Sequence, residues 1–84
     1  MDQKATASAE EAIHAVGRGD VAAARTAVNI AYAMDHTLGA FVDAIYLACS
    51  EIEEDGKVST STWNGLADSV PSGPLQAAVE SNRD

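Results

Sequence analysis

Few side chains in this 84-residue sequence are of types that do chemistry, and their spacing bounds what that chemistry could be. The two histidines, His14 and His36, each stand near a carboxylate. Glu10 precedes His14 by four residues, which on a helix puts the two on one face, and Asp35 adjoins His36. A transition-metal site would need both imidazoles to meet a carboxylate in three dimensions. The single cysteine, Cys49, excludes an intramolecular disulfide and a cysteine-based zinc cluster. No neighbouring lysine or arginine favours its thiolate, and Glu51, Glu53 and Glu54 disfavour it, so it reads as a small buried hydrophobe. There is no Gly-x-Ser-x-Gly elbow and no Cys–His pair. Gly17-Arg18-Gly19-Asp20 lacks the further glycine and the preceding strand of a phosphate-binding loop. Enzymatic activity, a cofactor and a resident metal are therefore not expected.

The densest set of hard oxygens is Glu51-Ile52-Glu53-Glu54-Asp55-Gly56-Lys57-Val58-Ser59. It resembles a calcium-binding EF-hand loop, with oxygen side chains at positions one, three, five and nine, glycine at six and an aliphatic residue at eight. It departs from that pattern at Glu51, where aspartate is usual, and at Thr62, where a bidentate glutamate closes the cage. The other reading is an acidic helix end stopped by Gly56. Carboxylates there oppose the helix dipole, which would suit a basic partner.

These groups must be positioned by helices. Residues 37–54 are the most apolar stretch. Leu38, Phe41, Val42, Ile45, Cys49 and Ile52 fall on one broad helical stripe, and Ala40, Ala44 and Leu47 on a second. A helix apolar around most of its circumference belongs in the middle of a bundle. Thr37 is the N-cap candidate, with Asp35 as the alternative, and Asp55-Gly56 supplies the stop. Ahead of it, residues 1–6 read as a frayed leader. Ser8 with Glu11 forms a capping box that would start a first helix, with Ala9, Ala12, Ile13 and Val16 inward and Gly17-Arg18-Gly19 as its end. Asp20 caps a second helix over 21–34. Its core face is Val21, Ala24, Val28, Ala31 and Tyr32, and Ala23, Ala27, Ile30 and Met34 form a weaker apolar side. After Gly56, the run Ser59–Thr62 offers caps for a helix over 61–69 carrying Trp63, Leu66 and Val70. Pro74 opens a last short helix over 74–81, with Leu75, Ala78 and Val79 inward and residues 81–84 as a frayed tail.

Residues 12–31, from Ala12 through Gly17-Arg18-Gly19-Asp20 to Ala31, resemble one tetratricopeptide-type helical hairpin. Ala12, Ala24, Val28 and Ala31 stand where that family packs small residues across a Gly-Asp turn. The family's large aromatic residue in the first helix and its closing proline are missing, and one unit cannot form a solenoid. The resemblance implies a protein- or peptide-binding role.

The expected fold is all-α. Residues 1–84 form a single domain, a small helical bundle of three main helices with one or two short C-terminal ones. Alanine is about a fifth of the chain, so large core side chains are few, which leaves room for a homodimer to complete the core. The formal charge of −8 opposes nucleic-acid binding and anionic membranes. With no signal peptide and no apolar run of transmembrane length, a cytoplasmic location is expected. The function these features imply is a small acidic protein-interaction module, an adaptor or regulator. Tyr32, Met34, Leu47 and Trp63 are the candidate interface, with Glu51, Glu53 and Glu54 facing a basic partner. The alternative is a ligand- or metal-binding helical domain using His14, His36 or the acidic turn.

Overall fold

The computed structural model describes residues 2–83. The first helix, α1, spans Gln3–Gly17 and starts five residues ahead of the Ser8 cap. Asp2 takes the capping role instead. Its carboxylate accepts the Lys4 N–H at 3.0 Å, and its carbonyl accepts the Thr6 hydroxyl at 3.1 Å. The Ser8–Glu11 signal is overridden because Ala5 and Ala9 are both buried, so packing and alanine's helix preference carry the helix through the expected start. Residues 3–6, read as a leader, are thus helical; Met1 lies outside the described residues.

The turn after α1 depends on Gly19, whose φ of 77° suits a residue without Cβ. The N–H groups of Arg18 and Asp20 close onto the carbonyls of His14 and Ala15. Asp20 then accepts the Ala23 N–H at 3.1 Å, and α2 runs Val21–Met34, the expected span. The link to the next helix differs from expectation. Asp35 is extended, and its carboxylate accepts both the N–H and the hydroxyl of Thr37, at 3.0 and 2.6 Å. Thr37 therefore sits inside a single 3₁₀ turn, His36–Leu38, and does not cap the next helix. That helix, α3, spans Gly39–Asp55 with no side-chain cap at its start, and ends at Gly56 with φ 79°. Ser59 caps α4, Thr60–Ser69, through the Thr62 N–H. Pro74 lies in the first turn of α5, Gly73–Asn82. This helix takes in two residues of the expected tail, Ser81 and Asn82; Asp84 is outside the described residues.

Helices α1 and α2 form a hairpin, and α3 packs on α2. Two contacts, Asn29 with Tyr46 and Arg25 with Glu53, run in opposite chain directions, so α2 and α3 are antiparallel. Helix α4 packs on α3, and α5 on α1. Phe41, Ile13, Leu38, Ile45, Leu66 and Leu75 are the largest of the fully enclosed side chains. Each contributes about 1.5–3 kcal/mol through the area it removes from water. Tyr32 leaves the core face assigned to it. Ala31 occupies the buried position, and the Tyr32 ring lies outside, 5.0 Å from the His36 ring.

Candidate functional site

Among the described residues, the large apolar side chains exposed to solvent all lie on α2 and α3. They are Ile30, Tyr32, Met34, Tyr46 and Leu47, at 37–53% exposure. Three of them were expected at an interface. They do not form one patch. Tyr32 and Met34 are two residues apart, so they project from α2 roughly 200° apart. Met34 shares its face with Ile30, while Tyr32 turns toward His36. Leu47 follows Tyr46 directly and projects from a different side of α3. Trp63, the fourth candidate, is 8% exposed and belongs to the core. Its place on an inward stripe with Leu66 and Val70 outweighs its value as a surface anchor.

The acidic turn is divided among internal partners. Glu51 accepts the Ser59 N–H at 2.8 Å and the hydroxyl of buried Thr62, tying α3 to α4. These donors, the Ser59 N–H first, hold its carboxyl below the usual glutamate range. Glu53 pairs with Arg25 on α2 at 3.0 Å, and the Arg25 guanidinium also lies 5.8 Å from the centre of the Tyr46 ring. Tyr46 in turn accepts a hydrogen bond from Asn29 at 2.9 Å. Glu54 is exposed. The carboxylates of residues 51–55 thus do not converge. His14 contacts Asn82 of α5 at 2.8 Å, and His36 stacks near Tyr32. Among the described residues, no three His, Cys, Asp or Glu side chains are placed to hold one metal ion. Cys49 is buried against α2, its Sγ 3.9 Å from the Val21 carbonyl, and burial pushes its thiol up.

Two concavities remain. The first is a groove of about 550 Å³ between α1 and α2. Ala23, Ala27 and Ile30 give it an apolar floor, while Ser8, Thr26, Glu11 and Asp20 supply polar edges. Met34 continues the stripe at i+4 from Ile30. This is the weaker apolar side of the second helix noted in the sequence; Ala27 is buried and Ala23 half-buried, while Ile30 and Met34 are exposed.

The second is a cleft of about 720 Å³ where α1, α3 and α5 all end. Arg18, Lys57 and Arg83 line it, three of the five lysines and arginines in the chain. Val16, Ile52, Val58 and Trp63 form its apolar wall. No sequence signal brought these residues together, because they lie on separate helix ends. Searches against family models, curated proteins and solved structures each return no match. Among the described residues, no helix is long and apolar enough to cross a membrane.

Proposed function

We propose that this chain is a small acidic protein-interaction module, an adaptor or regulator, that captures a basic amphipathic helix of a partner protein in the α1–α2 groove. The observation that carries the reading is the exposed pair Ile30 and Met34 continuing the Ala23–Ala27 floor of a groove edged by Glu11 and Asp20. Small residues let a helix backbone approach, and Ile30 and Met34 supply apolar area. This is the helix-in-groove mode of recognition. The likeness of residues 12–31 to a tetratricopeptide-type hairpin points the same way, since such hairpins cover their flanks with a further helix. Charge selects the occupant. A second copy would bring another net charge of −8 against the acidic edges, whereas a helix flanked by lysine or arginine is attracted to them.

The test uses a synthetic helical peptide with leucine at i, i+3, i+4 and i+7 and lysine elsewhere, beside a counterpart with glutamate for lysine. Calorimetric titration is expected to show saturable binding of the lysine peptide alone. Ile30→Ser is expected to weaken it about tenfold, the equivalent of roughly 1.4 kcal/mol, and Glu11→Lys to weaken it as well. Equal binding of both peptides, or an unchanged affinity in Ile30→Ser, would overturn the reading. Native mass spectrometry over a concentration series is expected to show a monomer. A dimer abolished by Ile30→Ser would replace the partner helix with a second copy.

A further inference from the structure

The cleft at the ends of α1, α3 and α5 brings three cations, Arg18, Lys57 and Arg83, together with one carboxylate, Glu80, on a strongly acidic chain. A cation near a helix C-terminus is ordinary, because it complements the partial negative charge there. Here at least one carbonyl in the last turn of each helix already has a backbone donor. Those of Ile52 and Val79 accept the N–H groups of Gly56 and Arg83, and that of His14 accepts the Arg18 N–H. Arg18 and Arg83 pair with Glu11 and Glu80, at 2.6 and 3.5 Å. Among the described residues, Lys57 is in no ion pair. Beneath these cations the accessible apolar surface comes from Ile52 and Val58, backed by core residues. Val16 and Trp63 are almost fully enclosed, and Ile52 and Val58 are half-buried. The volume is within the roughly 300–1,000 Å³ typical of small-molecule sites.

We infer that this cleft binds a small amphiphilic organic anion. Its carboxylate would meet Lys57 and Arg18, and its hydrocarbon body would lie along Ile52 and Val58, against the edge of Trp63. The inference is independent of the groove between α1 and α2, which has the opposite charge and lies on the other side of Arg18's partner, Glu11.

The probe is octanoate, titrated into the uniformly ¹⁵N-labelled protein, with amide and indole resonances followed by NMR. Saturable shifts are expected at Gly19, Gly56 and the Trp63 indole. Octylammonium, with the same chain and the opposite charge, and inorganic phosphate, with charge and no chain, are expected to leave them unmoved. Lys57→Glu, an exposed change after a helix end, is expected to weaken octanoate binding about tenfold, the loss of one charge-assisted hydrogen bond. Its circular dichroism is expected to match the parent. The inference is overturned if octanoate produces no saturable shift, or if its shifts centre on Ile30 or Leu47. It also fails if octylammonium binds equally well, or if Lys57→Glu keeps full affinity. That last result would leave the cations the single role of balancing helix ends.

Discussion

Arg18 and Glu11 close a 2.6 Å ion pair along α1, yet each lines a different concavity. Glu11 borders the α1–α2 groove, and Arg18 borders the cleft at the opposite end. Both side chains are half exposed, so the pair adds little to stability in salt. Its importance is that it joins two surfaces of opposite charge.

Glu11→Gln is therefore expected to move two affinities in opposite directions while the thermal midpoint stays unchanged. Capture of the lysine peptide weakens, because the groove loses an acid. Octanoate binding tightens, because the Arg18 guanidinium is released. Calorimetry and NMR on the one variant check both signs.

Gly17 marks where α5 docks. A Cβ at that position would stand 2.2 Å from Asn82 Oδ1, closer than any real contact. Gly17→Ala should expel the Asn82 side chain and break its bonds to His14 and to the Ala78 carbonyl. A loss of about 1 kcal/mol is expected. In an Asn82→Ala background most of that obstruction is gone. There the same change is expected to be neutral or stabilising, since alanine is favoured over glycine in a helix by about 1 kcal/mol. Urea denaturation of the four proteins in the cycle reads the reversal of sign.

The Glu51 link predicts acid sensitivity. Its carboxyl is held low in the folded protein by the Ser59 N–H and then by the Thr62 hydroxyl. Asp35 is held low by the hydroxyl and then the N–H of Thr37. A depressed folded value stabilises the protein above the unfolded value and is lost as pH falls through the folded one. The thermal midpoint is expected to fall as pH drops below about 4.5, the ordinary glutamate value. Glu51→Gln should lower the midpoint at neutral pH and flatten part of the acid slope. An unchanged slope would mean that the link contributes nothing.

Cys49 should be inert while the protein is folded. Burial raises its thiol, and the opposing influence of Arg25 is smaller. A disulfide reagent is expected to find no reactive thiol at neutral pH, and one in guanidinium chloride. Cys49→Ala is expected to cost about 1 kcal/mol, consistent with a packing role at the Val21 contact.

Helices α2 and α3 were legible in the sequence because their local and tertiary signals agree. Asp20 caps one, Gly56 stops the other, and their apolar stripes face the core. The start of α1 was misread because Ser8 and Glu11 make a good cap on paper, while burial of Ala5 is a tertiary fact that local spacing does not carry. Thr37 failed as a cap for a local reason, and the alternative candidate, Asp35, caps the 3₁₀ turn in its place. Asp35, two residues earlier, claims its hydroxyl and its N–H together. Trp63 was legible as part of an inward stripe, but its choice between core and surface depends on how α4 lies over α3. The groove was half visible in Ala23, Ala27, Ile30 and Met34. The cleft was not visible at all, since Arg18, Lys57 and Arg83 become neighbours only when three helices end together.

The contact between Asn82 and His14 spans 68 positions of chain. Closing so long a loop early in folding is entropically costly, whereas α1, α2 and α3 meet through short connections. Helix α5 is thus expected to dock last, with its bonds to α1 largely unformed when the folding barrier is crossed. Weakening that clasp would leave the speed of folding nearly untouched and shorten the lifetime of the folded state. The survival time of this protein is therefore expected to depend on the seam between its first helix and its last.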